Sequence, residues 1–272
     1  NLIYPLLESY ADVYQLFLNE NKEEYSRMYP AFEERIQLLE AGPKQSPYHL
    51  YSLALAHLHK SLIAIRFNKN FEAALDFRKA FLLFKANKKA FPNFTPTDVY
   101  LGIMTSVIGT IPKGYQWMAN VLGMTGKISE GNALVLKYIN SKDAYSNQCR
   151  NEALLVYPYL VMNFEGNKKK TFDFIEKTNY DLVNNHLHAY MTTNLYLNNQ
   201  QSQKALQIAS SINPSNQYLT LPFWQLEMGY AYLNDLKLDA AKTALQNFIG
   251  HFKGQFYVKD AYEKLSWIAY IQ

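Results

Sequence analysis

The stretch "VLGMTGKIS", residues 121–129, sets glycine and lysine in the order a phosphate cradle uses. Such a cradle needs G-x-x-x-x-G-K-[ST] after a strand. Backbone N–H groups then surround the phosphates and the hydroxyl holds magnesium. Here Val121 stands at the first glycine position and Ile128 at the hydroxyl position. His57 and His59 are two apart, as are His186 and His188, so on a helix each pair points to different faces. Neither pair has the H-E-x-x-H or Cys/His spacing of a zinc site. Lys168, Lys169 and Lys170 follow Gly166 and Asn167, as in a solvated loop entering a helix. Glu23–Glu24 and Glu33–Glu34 read as acidic helix faces rather than paired catalytic carboxylates. Cys149 is the one cysteine, so no internal disulfide can form, and a lone cysteine behaves as a small buried apolar residue. With no G-x-S-x-G either, no catalytic, cofactor or metal residue is assigned, and an enzyme would have to be of unrecognised type.

The elements that carry these residues are helical. Apolar spacing follows the helix period almost throughout. Ala73, Phe77, Ala80, Phe81 and Phe84 make one stripe at i, i+4, i+7, i+8 and i+11. Ser46 before Pro47, and Pro96 before Thr97–Asp98, are helix starts. The pattern predicts an all-α chain with helices over 2–19, 22–41, 47–67, 70–90, 97–109, 113–122, 128–140, 147–164, 168–176, 181–198, 201–211, 220–235, 238–250 and 257–271. Its 272 residues and 49% apolar content suffice for one large domain or one repeat array, expected over 1–272. The longest apolar run, 99–111, is shorter than the about 20 residues a membrane span needs. A net charge of +4 is too mild to imply nucleic acid. It is unevenly spread: 1–41 hold eight acids and three bases, and 42–90 hold nine bases and two acids. These segments either face each other across an interface or form solvated faces.

The stretch "FWQLEMGYAYLNDLKLDAAKTALQNFIGHF" contains Gly229, Tyr232, Ala241 and Leu245. Those gaps resemble the tetratricopeptide repeat (TPR), in which a small residue lets two helices approach closely. Phe248, at the next small-residue position, departs from the pattern. Tyr196, Ala205 and Ala209 repeat two of the gaps, and Ser61, Ala64, Ala73, Phe77 and Ala80 form a weaker copy. The resemblance implies a superhelix of antiparallel helix pairs, clearest at 223–250.

Glycine gathers in an irregular unit at about 99–131. Pro112 separates two helices, and Gly123 or Gly126 is expected to take positive φ where a helix stops. Gly102, Gly109, Ile111, Pro112, Tyr115, Trp117, Leu122, Gly123, Met124, Gly126 and Gly131 stand where a group of bacterial TPR proteins of uncharacterised biochemical function has its "G-x-x-x-x-x-x-G-x-I-P", "Y-x-W" and "L-G-M-x-G-x-x-x-x-G" blocks. The stretch "FKGQFYVKDAYEKLSW" resembles a later repeat of the same group. A eukaryotic TPR family associated with mitochondrial outer membrane and lipid-droplet biology has a comparable block. The resemblance runs from about Pro47 onward and implies a TPR-like fold and bacterial export, with no catalytic residues. The chain begins at Asn1 without methionine, so a removed leader and a periplasmic or envelope location are expected, with the cytoplasm as alternative. It ends at Gln272 just after a candidate first helix of a pair, whose second helix is expected to lie beyond.

Binding is therefore the expected function. Counting from Gly229, the groove-facing positions are Phe223, Leu226, Tyr230, Leu233 and Asn234, with Trp267 in the next repeat. This set is too apolar to grip a C-terminal carboxylate, which needs Lys, Arg and Asn. It suits a protein or peptide partner with an apolar face; alternatively these rings pack on neighbouring repeats. The other reading is a carrier of a hydrophobic small ligand in an aromatic-lined cavity. An enclosed apolar cavity would favour the carrier, and an open continuous groove the scaffold.

Overall fold

The computed structural model describes residues 3–215 and 221–272. Among the described residues the regular elements are all helical. They are α1 (Ile3–Asn19), α2 (Lys22–Met28), α3 (Pro30–Glu40), α4 (Pro47–Arg66), α5 (Asn70–Ala90), α6 (Pro96–Gly109), α7 (Gln116–Val121), α8 (Ile128–Ile139), α9 (Arg150–Asn163), α10 (Lys168–Lys177), α11 (His186–Leu197), α12 (Ser202–Ser211), α13 (Phe223–Asn234), α14 (Leu238–His251) and α15 (Val258–Ile271), with one 3-10 turn at Lys113–Tyr115.

Four boundaries differ from the predicted ones by three residues or more, and one of them is the helix predicted over 113–122, which opens as a 3-10 turn so that α7 starts only at Gln116. The helix predicted over 22–41 breaks after Met28, because Pro30 has no N–H to donate and opens α3 at its first turn. The helix predicted from 181 starts at His186. Asp181 instead folds the preceding turn by accepting from the Val183 and Asn184 amides, and Asn185 caps α11 by accepting from His188 N. The helix predicted from 147 starts at Arg150, after turns closed by Ser146 N to Asp143 O and Gln148 N to Tyr145 O. Residues 2 and 220, where two other helices were predicted to start, lie outside the described residues.

The chain divides into two compact units, Asn1–Tyr14 with Ser26–Glu176 and Gln15–Tyr25 with Lys177–Gln272. In the first, α4 packs along α5 and α6 along α8. The α5 stripe behaves as its spacing predicts: Ala73, Ala80, Phe81 and Phe84 are buried and Phe77 half-buried. Phe84 stacks on Tyr100 at 5.6 Å between ring centres, and Tyr51 meets Phe94 edge-on at 5.3 Å. Such aromatic pairs add about 0.5–1.5 kcal/mol beyond the area they bury. The charge asymmetry of the first 90 residues resolves partly into pairs: Lys60 meets Glu33 at 2.6 Å and Lys79 meets Glu40 at 3.6 Å. Exposed pairs of this kind contribute about 0–1 kcal/mol, so they follow the packing rather than drive it.

In the second unit, α11 packs on α12 and α13 on α14. Their joints share their geometry with the α4–α5 joint of the first unit. Asn68, Gln200 and Leu236 are left-handed, with φ of 63°, 63° and 58°. The amide after each reaches back to the carbonyl five residues earlier: Lys69 N to Ala64 O at 2.8 Å, Gln201 N to Tyr196 O at 2.9 Å, Lys237 N to Tyr232 O at 2.9 Å. This is a Schellman stop, which satisfies carbonyls that the helix end leaves free. Each following helix then presents a buried alanine, Ala73, Ala205 or Ala241. Twelve positions earlier in each case stands a buried small residue, Ser61, Thr193 or Gly229, and Ser61 Oγ donates to Ala73 O at 2.7 Å. A side chain at Gly229 would collide with Leu245, 2.7 Å away.

Gly123 ends α7 the same way, with φ of 76° and Met124 N bonded to Ala119 O at 2.9 Å. Gly126 has no positive φ. It lies instead against the Thr105 carbonyl, where a Cβ would overlap the backbone. Pro112 stands at ψ 145°, just before the 3-10 turn. The tightest approach joins α6 and α8, where a Cβ on Gly102 would lie 2.7 Å from Gly131 O and a Cβ on Gly131 would overlap Gly102 O and Ser106 Oγ. Leu236 is 72% exposed, so Leu236→Gly removes left-handed strain and little packing; urea unfolding should show a gain of about 1 kcal/mol. Gly131→Ala forces α6 and α8 apart and should cost about 1–3 kcal/mol in the same measurement.

Candidate functional site

A cleft of about 970 Å³ opens in the first unit. Helical spacing supplies its walls. On α1, Ile3, Leu6, Leu7 and Tyr10 recur on one face; on α4, Tyr48, Tyr51 and Ser52 do the same. Leu38 of α3 and the turn through Gly42 and Pro43 form a third side, and Gln148, Cys149 and Glu152 a fourth. At the lip, Ile3, Leu7 and Leu38 are more than half exposed. The floor is buried: Tyr51 and Cys149 are 5% and 3% exposed.

The floor is a hydrogen-bonded set of phenols around one thiol. Tyr51 OH lies 2.8 Å from Cys149 Sγ, and Tyr10 OH lies 2.6 Å from Tyr100 OH. Tyr138 OH accepts from Cys149 N at 2.9 Å and donates to Tyr145 O at 2.8 Å. Burial pushes the Cys149 thiol up to about 12, so it stays protonated at neutral pH and is no nucleophile. Burial also raises the Tyr10, Tyr51 and Tyr100 phenols well above their ordinary range. Behind this floor, His59 Nδ1 lies 2.8 Å from Ser9 Oγ and its ring meets Tyr10 edge-on at 4.5 Å. Burial lowers its pKa to about 3, so it is a neutral packing residue. His57, pointing to another face as its spacing predicts, lies 2.7 Å from Asp76 Oδ1.

Glu152 differs from the other polar groups here. It is the acid that lines the cleft, and no side chain among the described residues pairs with it. Burial raises its carboxyl above the usual range, opposed by its own backbone N–H. Among the described residues no lysine, arginine or histidine lines the cleft, and Glu152 is the one formally charged side chain there.

The residues predicted to line a concave stripe are placed differently. Phe223 and Leu226 are 4% and 2% exposed and belong to the interior of the second unit. Phe223 packs against Phe252 at 5.2 Å and Phe248 at 6.0 Å between ring centres. Tyr230 and Leu233 are half-buried and Asn234 is exposed. Trp267 is half exposed, with Lys264 Nζ 3.3 Å from its ring centre. The six positions therefore do not share one exposed surface, because Phe223 and Leu226 are covered within the second unit, where α13 packs on α11, α12 and α14. Lys127 of the glycine-rich stretch is exposed and held by Glu130 at 2.7 Å. Lys170 pairs with Glu165 at 2.9 Å.

Spacing overlooked the cleft because its residues come from four separated segments, and no motif links Tyr10 or Tyr51 to Glu152. The one local signal is a carboxylate in the first turn of α9, which runs Cys149, Arg150, Asn151, Glu152, Ala153. Comparison of the chain with family models, curated proteins and solved structures found no match.

A second buried acid, Glu227, lies on α13. It accepts from Asn194 Nδ2 at 2.8 Å and bonds Tyr190, yet burial dominates and raises its pKa to about 7. A folded-state pKa above the unfolded value favours folding at low pH. That contribution is present below about 4.5 and is lost as pH rises through about 7. Glu227→Gln keeps the Asn194 contact without the charge. It should leave stability near pH 4.5 almost unchanged and raise it at pH 8, removing a slope of up to about 1.4 kcal/mol per pH unit in urea titrations.

Proposed function

We propose that this chain is a non-enzymatic binding protein on a TPR-like scaffold of paired helices, and that its ligand is a small molecule with an apolar body seated in the tyrosine-lined cleft. The observation that carries the ligand is the cleft itself: apolar walls, a buried aromatic floor and an exposed apolar lip, at a volume typical of small-molecule sites. The scaffold reading is supported by the three joints of shared geometry at Asn68, Gln200 and Leu236. Each has a buried small residue twelve positions before a buried alanine of the next helix. The floor argues for binding rather than catalysis, since its thiol and phenols are held protonated.

A second reading, a protein or peptide partner, is favoured by α15. There Tyr262, Trp267, Tyr270 and Ile271 are all at least half exposed, an unusual density of large apolar groups on one helix.

The cleft reading is tested with the neutral apolar dye Nile red. Wild-type protein should bind it saturably at one site. Leu7→Glu with Leu38→Glu alters two exposed lip residues and should weaken binding at least fivefold with little change in melting temperature. Absence of saturable binding, or equal binding by the double variant, would overturn the cleft as the site.

A further inference from the structure

We propose that the occupant of the cleft is an organic cation, an apolar body carrying a protonated or quaternary amine whose charge is matched by the Glu152 carboxylate. This inference rests on the cleft reading above and adds the chemistry of the ligand's polar end. Three observations converge on it. First, Glu152 has no side-chain partner among the described residues, although every phenol of the floor is engaged in a hydrogen bond. A half-buried carboxylate whose partner is its own backbone N–H keeps acceptor positions that a ligand or water can fill. Second, Glu152 is the one charged residue lining the cleft among the described residues, so the field of that lining favours positive charge although the whole chain carries +4. General electrostatics of the protein would repel a cation, and an observed preference for one must arise locally. Third, Tyr10, Tyr48 and Tyr51 line the same space. Aromatic rings attract ammonium groups through their quadrupole, most strongly where water is excluded. An anionic ligand would meet Glu152 without a compensating base, and a neutral one would leave the carboxylate unmatched.

The apolar body lies against Ile3, Leu6, Leu7 and Leu38, and the amine points inward, toward Glu152 and the tyrosines. Burial disfavours the ionised form of Glu152, and a bound cation restores it.

The test uses three probes of one chain length: octylammonium, octan-1-ol and octanoate. Each is titrated by calorimetry into the full chain at pH 7.5, below micelle formation. Octylammonium should bind at least tenfold tighter than octan-1-ol, with octanoate weakest. Glu152→Gln should abolish the tenfold advantage while octan-1-ol binding persists, and Glu152→Asp, which keeps the charge, should retain part of it. Melting temperatures of both variants establish that the cleft is intact. Equal affinity for octylammonium and octan-1-ol in wild type, or an advantage that survives in Glu152→Gln, would overturn the cation assignment and leave the cleft standing. Failure of all three probes to bind would overturn the cleft and the cation together.

Discussion

The contact on which the first unit depends is backbone against backbone. Gly102 of α6 and Gly131 of α8 let two helices approach until no side chain fits between them. At that distance Ser106 Oγ donates to Asn132 Oδ1 at 2.8 Å, and Asn132 Nδ2 donates to Glu165 at 2.8 Å. Buried polar groups are thus satisfied where an apolar spacer would otherwise have stood. The same approach brings Tyr100 of α6 and Tyr138 of α8 to Cys149. Tyr138 then orders the turn before α9 through both the Tyr145 carbonyl and the Cys149 amide. The depth of one helix crossing therefore sets where the floor of the cleft lies and where Glu152 emerges.

The floor trades reactivity for order. Four tyrosines and a cysteine are rich in polar atoms, yet each hydroxyl that reaches the interior has a partner. Such a network fixes ring positions because any rotation breaks a bond that water cannot replace. Burial raises every acid in it, so the set stays neutral and acts as a rigid aromatic wall. Glu152, at the edge between wall and solvent, is the place where this neutrality ends.

The joints show a second economy. Left-handed residues close the α4–α5, α11–α12 and α13–α14 pairs, and none of the three is glycine. The strain at Leu236 is held by the packing it permits, since Gly229 and Leu245 meet only if α14 turns back within a few residues of α13. These joints are alike although their sequences, Asn-Lys, Gln-Gln and Leu-Lys, share almost nothing.

The sequence by itself determined the helices and several of their stops. The period of the α5 stripe, the cap at Ser46 and the breaks at Pro112 and Gly123 are local properties, set by backbone sterics and hydrogen-bond valence within a few residues. Pro30 was equally local, and its break in 22–41 was there to be read. Which face of α13 is covered could not be read, because Phe223 and Leu226 look alike whether they meet a partner or α14. The same holds for Tyr10, Tyr51 and Glu152, which stand more than 140 positions apart at the extremes. Only tertiary structure decided those, because burial and charge matching depend on distances between segments, and helical periodicity reports only the direction in which a side chain leaves its own axis.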